Sequence, residues 1–208
     1  FFGFQTGFNV NRGSDNSFFG YQSGENYTVF SLESTKNSFF GSMSGFLVSS
    51  GVENTLLGYN TGKFLNGSYN TFVGSEAASG NVGGFNYNGV TAVGYRAGYL
   101  NFTPFNTFLG FNAGVFASGN GLTVIGSYAG EKATGEFNTF VGFESGHELT
   151  NNGDNNTFLG AQSGKNFVEG GNNTAIGTLA LSTVINPSIG AGNTAIGSLS
   201  GENAENPN

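Results

Sequence analysis

One short phrase recurs along the whole chain, and its period decides what the chain can fold into. The copies read FFGFQTG, NSFFGYQSG, NSFFGSMSG, NTLLGYNTG, NTFVGSEAASG, VTAVGYRAG, NTFLGFNAG, LTVIGSYAG, NTFVGFESG, NTFLGAQSG, NTAIGTLAL and NTAIGSLSG. They centre on Gly3, Gly20, Gly41, Gly58, Gly74, Gly94, Gly110, Gly126, Gly142, Gly160, Gly177 and Gly197, at spacings of 16 to 21 residues. Such a period is too short for a propeller blade or a helical-pair repeat. It fits one coil of a parallel β-solenoid, or β-roll, in which two short strands and two turns make a circuit and each coil covers the next. Length varies only between the seventh residue after one central Gly and the seventh before the next, so insertions collect at one edge. The expectation is an all-β solenoid of about 12 coils occupying residues 1–208 as a single array.

Composition agrees with this and removes several function classes. Gly supplies 37 of 208 residues, which a helical bundle would not tolerate. Aromatic residues reach 15% while charged residues are only 9%, the reverse of a disordered chain. With no Cys and a single His, thiol nucleophiles, disulfides, iron–sulfur clusters and zinc sites have no residues to build them. Six Lys and Arg stand against 13 Asp and Glu with no basic cluster, which argues against a nucleic-acid partner. No apolar run approaches the length of a membrane-spanning helix. The chain opens inside a repeat phrase, at Phe1-Phe2-Gly3, as expected of a segment of a longer protein.

Each position of the phrase can be assigned a place. Three residues before the central Gly stands Ser or Thr, from Ser17 to Thr194; one residue before it stands an apolar residue, from Phe19 to Ile196. Residues two apart share a face of a strand. Both rows are therefore expected to point into the coil, together with the small residue three after the Gly. The row between them is expected to point outward, yet it too is apolar: Phe18, Phe39, Leu56, Phe72, Ala92, Phe108, Val124, Phe140, Phe158, Ala175 and Ala195. A strand that is apolar on both faces is covered on both. This row is accordingly the candidate subunit interface, and a homotrimer with the rows meeting on its axis is the preferred arrangement. The alternative is that both rows serve one chain's own core. Seven residues after the Gly comes a second apolar position, read as the inward residue of a return strand. Asn stands four before the Gly in most copies, where amides can bond from coil to coil.

At NTAIGSLSG and its relatives the chain resembles the YadA-like head repeats of trimeric autotransporter adhesins. It is also similar to the NTFLG-x-x-AG arrays of surface and tail-fibre-like proteins of Bacteroidota and their phages. The resemblance covers essentially the whole chain. It implies a parallel β-roll, a homotrimer exposed outside the cell, and adhesion or fibre formation as the task. The coils here are longer than in the adhesin heads, Thr stands where those commonly have Val, and Phe replaces Ala in the middle row.

Residues able to do chemistry are few. His147 occupies a position held in other copies by Phe8, Glu25, Lys63 or Lys165 and reads as a solvated rim residue. Asp15 and Asp154 both lie in turns, and the GGxGxDx calcium phrase is absent. Glu76, Glu144 and Glu148 sit at variable positions and offer no carboxylate pair across a cleft. No catalysis, metal or cofactor is expected. Two binding roles compete with a structural one. Rim aromatics on the longer coils, Tyr27, Phe30, Phe85 and Tyr87, could stack on a glycan. An ice-binding face would require outward Thr, and the flanking residues place Thr inside.

Overall fold

A computed structural model describes residues 1–10, 13–26, 34–48, 50–80, 87–101, 103–150, 153–182 and 191–201. The described chain contains no helix; it is an all-β, parallel β-solenoid with one three-residue strand in each coil from Ser17 onward, while the copy centred on Gly3 contributes only an isolated bridge from Phe2 to Phe19. The strands are β1 (Ser17–Phe19), β2 (Ser38–Phe40), β3 (Thr55–Leu57), β4 (Thr71–Val73), β5 (Thr91–Val93), β6 (Thr107–Leu109), β7 (Thr123–Ile125), β8 (Thr139–Val141), β9 (Thr157–Leu159), β10 (Thr174–Ile176) and β11 (Thr194–Ile196). Two compact units divide them, Phe1–Phe105 with β1–β5 and Asn106–Asn208 with β6–β11.

Within each unit consecutive strands pair in parallel, equivalent residue on equivalent residue. Ser38 faces Thr55 and Thr55 faces Thr71 in the first unit; Thr123 faces Thr139 and Thr139 faces Thr157 in the second. The strands form where β-branched, aromatic and aliphatic residues predominate, as in Thr123-Val124-Ile125 and Thr139-Phe140-Val141, and the central Gly ends them. At Gly126 φ is 134°, a conformation that side chains with a Cβ rarely adopt, and an added Cβ would meet the carbonyl oxygen of Gly142 in the next coil at 2.3 Å. The Gly four residues later has a different reason. At Gly146 an added Cβ would meet the Phe140 ring at 2.5 Å, so this Gly makes the room that the core ring occupies. Where the strand residue shrinks to Ala175, the equivalent of that Gly becomes Leu181, which is buried and fills the space.

The facing of the strand is the opposite of the one expected. Phe18, Phe39, Leu56, Phe72, Ala92, Phe108, Val124, Phe140, Phe158, Ala175 and Ala195 are all at most 4% exposed within the single chain. They are the core, not a surface awaiting a second subunit. The Ser/Thr row before them and the apolar row after them both look outward, each residue half-buried or exposed. The reason lies in the turn. Counting in twos from the strand to the small residue three after the Gly assumes extended backbone throughout. The residue between, such as Gln22, Asn112 or Glu144, instead has φ near 51° to 54°. That left-handed residue breaks the alternation. The small residue (Ser23, Ala113, Ser145) does point inward as expected, but opposite the middle row and not beside its neighbours.

The rest of the coil matches expectation with one change. Val48, Leu65, Ala117, Ala133, Leu149 and Phe167 line the interior from the return side, and Phe167 packs edge-on against Phe158 with ring centres 5.4 Å apart. No regular return strand forms among the described residues. That side carries coil-to-coil bonds such as Ser118 N to Ala133 O at 2.8 Å, and an isolated bridge between Ser50 and Asn66. The Asn row forms a continuous ladder where the residue recurs. Asn54 donates through both its amide N and its Nδ2 to Asn37 Oδ1, at 3.0 and 2.9 Å, and Asn70 does the same to Asn54. The Nδ2 groups also reach turn carbonyls, Gly67 O for Asn54 at 2.9 Å and Tyr87 O for Asn70 at 2.7 Å, so these buried amides and carbonyls are paired where water cannot reach them.

Candidate functional site

Parallel, in-register stacking turns every outward position into a row, so the functional surfaces of this chain are rows and not clefts. In the first unit the row after the core residue comprises Phe19, Phe40, Leu57, Val73 and Val93, of which the first three are exposed by 48%, 39% and 51% and the two valines are half-buried. With Phe2 and Tyr59 the first three line an open groove of about 570 Å³, floored by Gly3, Gly20, Gly41 and Gly58. Its rings lie face to face. Phe2 and Phe19 stack at 5.2 Å, and Phe19 and Phe40 at 5.6 Å with planes 11° apart. Interior ring faces are therefore covered by their neighbours and mainly edges meet the solvent. In the second unit the same row is aliphatic, Leu109, Ile125, Val141, Leu159, Ile176 and Ile196, beside the outward Thr row.

A charged row lies on the turn of the second unit and was not anticipated. Lys132 Nζ donates to both carboxylate oxygens of Glu148 at 2.9 Å, and Lys165 Nζ lies 2.7 Å from Glu144 Oε2. His147 is not a solvated rim residue. Its side chain is 17% exposed and sits between two carboxylates, Nε2 at 2.9 Å from Glu131 and Nδ1 at 2.9 Å from Glu148. The row was detectable by writing the copies beneath one another, because Glu131 and His147, and Lys132 and Glu148, each stand 16 residues apart.

The hydrogen bond from Gln162 Nε2 and then the Lys165 ammonium hold the Glu144 carboxyl below its ordinary range. For Glu148, burial alone pushes upward, but the bond and charge of Lys132, with His147, outweigh it and the net direction is down. A carboxyl whose folded value is depressed contributes stability that is complete above its unfolded pKa, about 4.3, and lost as pH falls through the folded value. Unfolding of the second unit is therefore expected to be insensitive to these groups near neutrality and to become easier below about pH 4. Replacing both by Gln should flatten that acid slope in urea titrations taken across pH.

Other expected site residues fare differently. Tyr87 is 2% exposed and packs edge-on to Phe72 at 6.1 Å, so it is a core residue, not a rim aromatic. Its hydroxyl has no partner among the described residues, and burial pushes the phenol pKa upward. Tyr27, Phe30 and Phe85 lie outside the described residues. Asp154 works in a turn, accepting a bond from Glu136 N at 2.8 Å. Among the described residues no three His, Cys, Asp or Glu are grouped to hold a metal ion, and no helix is long and apolar enough to cross a membrane. Comparison of the chain with family models, with curated proteins and with solved structures finds no match in any of the three.

Proposed function

We propose that this chain is a structural repeat segment of an extracellular fibre or adhesin, without catalytic activity, assembled as a homotrimer. The observation that carries the reading is the groove of the first unit. Phe19, Phe40 and Leu57, with Phe2 and Tyr59, form a contiguous exposed apolar strip, and such strips mark interfaces. The contact surface this reading needs is thus the row one residue beyond the one the sequence suggested. Glycan binding through this strip is disfavoured by its geometry, because a sugar stacks on an open ring face and the interior rings here cover one another.

Light scattering of the 208-residue chain is expected to return three times its mass of 21.5 kDa. Phe40→Glu should return the single-chain mass while keeping the β-sheet circular dichroism of the parent. A parent that is monomeric at micromolar concentration, or a Phe40→Glu chain that stays trimeric, sinks the assembly. A glycan array that lights up with the parent and not with Phe40→Glu would replace it with the binding reading.

A further inference from the structure

We propose that the strand face of the second unit is a binding surface for ice. Thr107, Thr123, Thr139, Thr157, Thr174 and Thr194 stand in one row, set opposite one another by the parallel pairing of β6–β11. Thr107, Thr157 and Thr194 are exposed and the other three are half-buried, so the row looks outward. None of the six hydroxyls is engaged by a described residue. That separates them from the inward Thr61, whose Oγ1 donates to Gly74 O at 2.6 Å. No described residue takes the donor or either acceptor lone pair of these outward hydroxyls.

Beside each Thr, two residues on, stands Leu, Ile or Val, also outward, and no charged residue occurs in β6–β11. The two rows make a rectangular net with spacings of about 4.8 Å between strands and roughly 6.7 Å along each strand. Both are close to repeats of the oxygen lattice of ice. One hydroxyl bonded to one water contributes little against liquid water as competitor. Six held by a hydrogen-bonded backbone need no further backbone ordering, so that part of the conformational cost of meeting a crystalline partner is already met. The Thr methyls and the aliphatic row add apolar surface that orders water without the strong local hydration a charge would impose. Phe19 and Phe40 break the net at β1 and β2; the proposal is made for the second unit, where all six strands carry it. It does not rest on the assembly proposed above.

The test is inhibition of ice recrystallisation by the 208-residue chain at micromolar concentration, with thermal hysteresis as a second readout. The parent should inhibit, and Thr139→Lys and Leu159→Lys, on the face, should each lose inhibition with unchanged circular dichroism. Thr150→Lys, at an exposed position on the return side of the coil, should retain it. Two face variants are used so that one that fails to fold leaves the other to be read. An inactive parent overturns the proposal, as does a folded face variant as active as the parent. So does a change of oligomeric mass in Thr139→Lys, which would show that a second copy of the chain occupies the face. Loss of trimer in Phe40→Glu with inhibition intact would separate the two proposals.

Discussion

Phe140→Ala is expected to destabilise the second unit by about 3–5 kcal/mol, whereas Val141→Ala, one residue on, should cost about 1 kcal/mol or less. The contrast follows from which way the strand faces. Phe140 has no exposed surface, lies against Phe158 with ring centres 5.5 Å apart and planes tilted by 30°, and packs against the Cα of Gly146 so closely that no Cβ could be added there. Truncation removes a ring that the neighbours cannot collapse to replace, because the coils above and below are held at fixed separation by backbone bonds such as Gly142 N to Ile125 O at 2.8 Å. Val141 lies in the outward row and is half-buried. Because a solenoid coil contacts chiefly its neighbours, the Phe140→Ala lesion should appear first in hydrogen exchange at the amides of β7, β8 and β9. Urea unfolding followed by circular dichroism gives the two free energies. If Val141→Ala proves the more costly, the middle row is not the core and the coil is turned inside out.

That contrast also marks how far the sequence could be read. All eleven strands begin at the Ser or Thr three before the central Gly and end at the residue before it, because the repeat and the Gly together leave only that stretch extended. The Asn ladder was legible for the same reason, since a polar residue recurring at one position of a stacked coil has its own copies as neighbours. Facing was not legible. Ser38-Phe39-Phe40 or Thr123-Val124-Ile125 offers two apolar residues of opposite parity, and alternation cannot choose between them. The choice depends on left-handed residues such as Gln22 and Glu144, which are chemically ordinary and carry no signal of their φ. Tyr87 was misread for a related reason. It sits at the edge of an insertion, where an aromatic suggests a rim, yet it takes the place that Gly67 holds one coil earlier and closes over Phe72. The error in facing reached the functional reading. It sent the interface to the core row and dismissed the Thr row as interior, and reversing it moves both to the surface.

Asn156→Leu should destabilise the second unit by about 3 kcal/mol although it replaces a polar residue by an apolar one of similar size at a wholly buried site. Hydrophobicity favours the substitution, so a loss must come from the partners left behind. Asn156 Oδ1 accepts from Asn173 N at 3.0 Å and Asn173 Nδ2 at 2.8 Å, and its Nδ2 donates to Gly170 O at 2.9 Å. Leucine can replace none of these, and a buried group left unpaired costs about 1–3 kcal/mol. The bond from Asn156 N to Asn138 Oδ1, at 2.7 Å, belongs to the backbone and survives. It survives for the same reason that Val90 and Leu122 can interrupt the row, donating their own amides to Asn70 Oδ1 and Asn106 Oδ1. Asn156→Asp separates the donor from the acceptor. The acid keeps the oxygen that Asn173 needs, but as a carboxylate it carries a buried charge and meets Gly170 O without a proton to donate. Its folded pKa is therefore raised above the unfolded value, so it destabilises at neutral pH and the deficit shrinks as acidification supplies the missing proton. Between pH 7 and about pH 5 the stability of Asn156→Asp should rise relative to the parent, in the opposite sense to the acid loss expected from Glu144 and Glu148. A parent-like pH profile for Asn156→Asp, or a Leu variant as stable as the parent, would show that the ladder is a consequence of the coil geometry and not one of its causes.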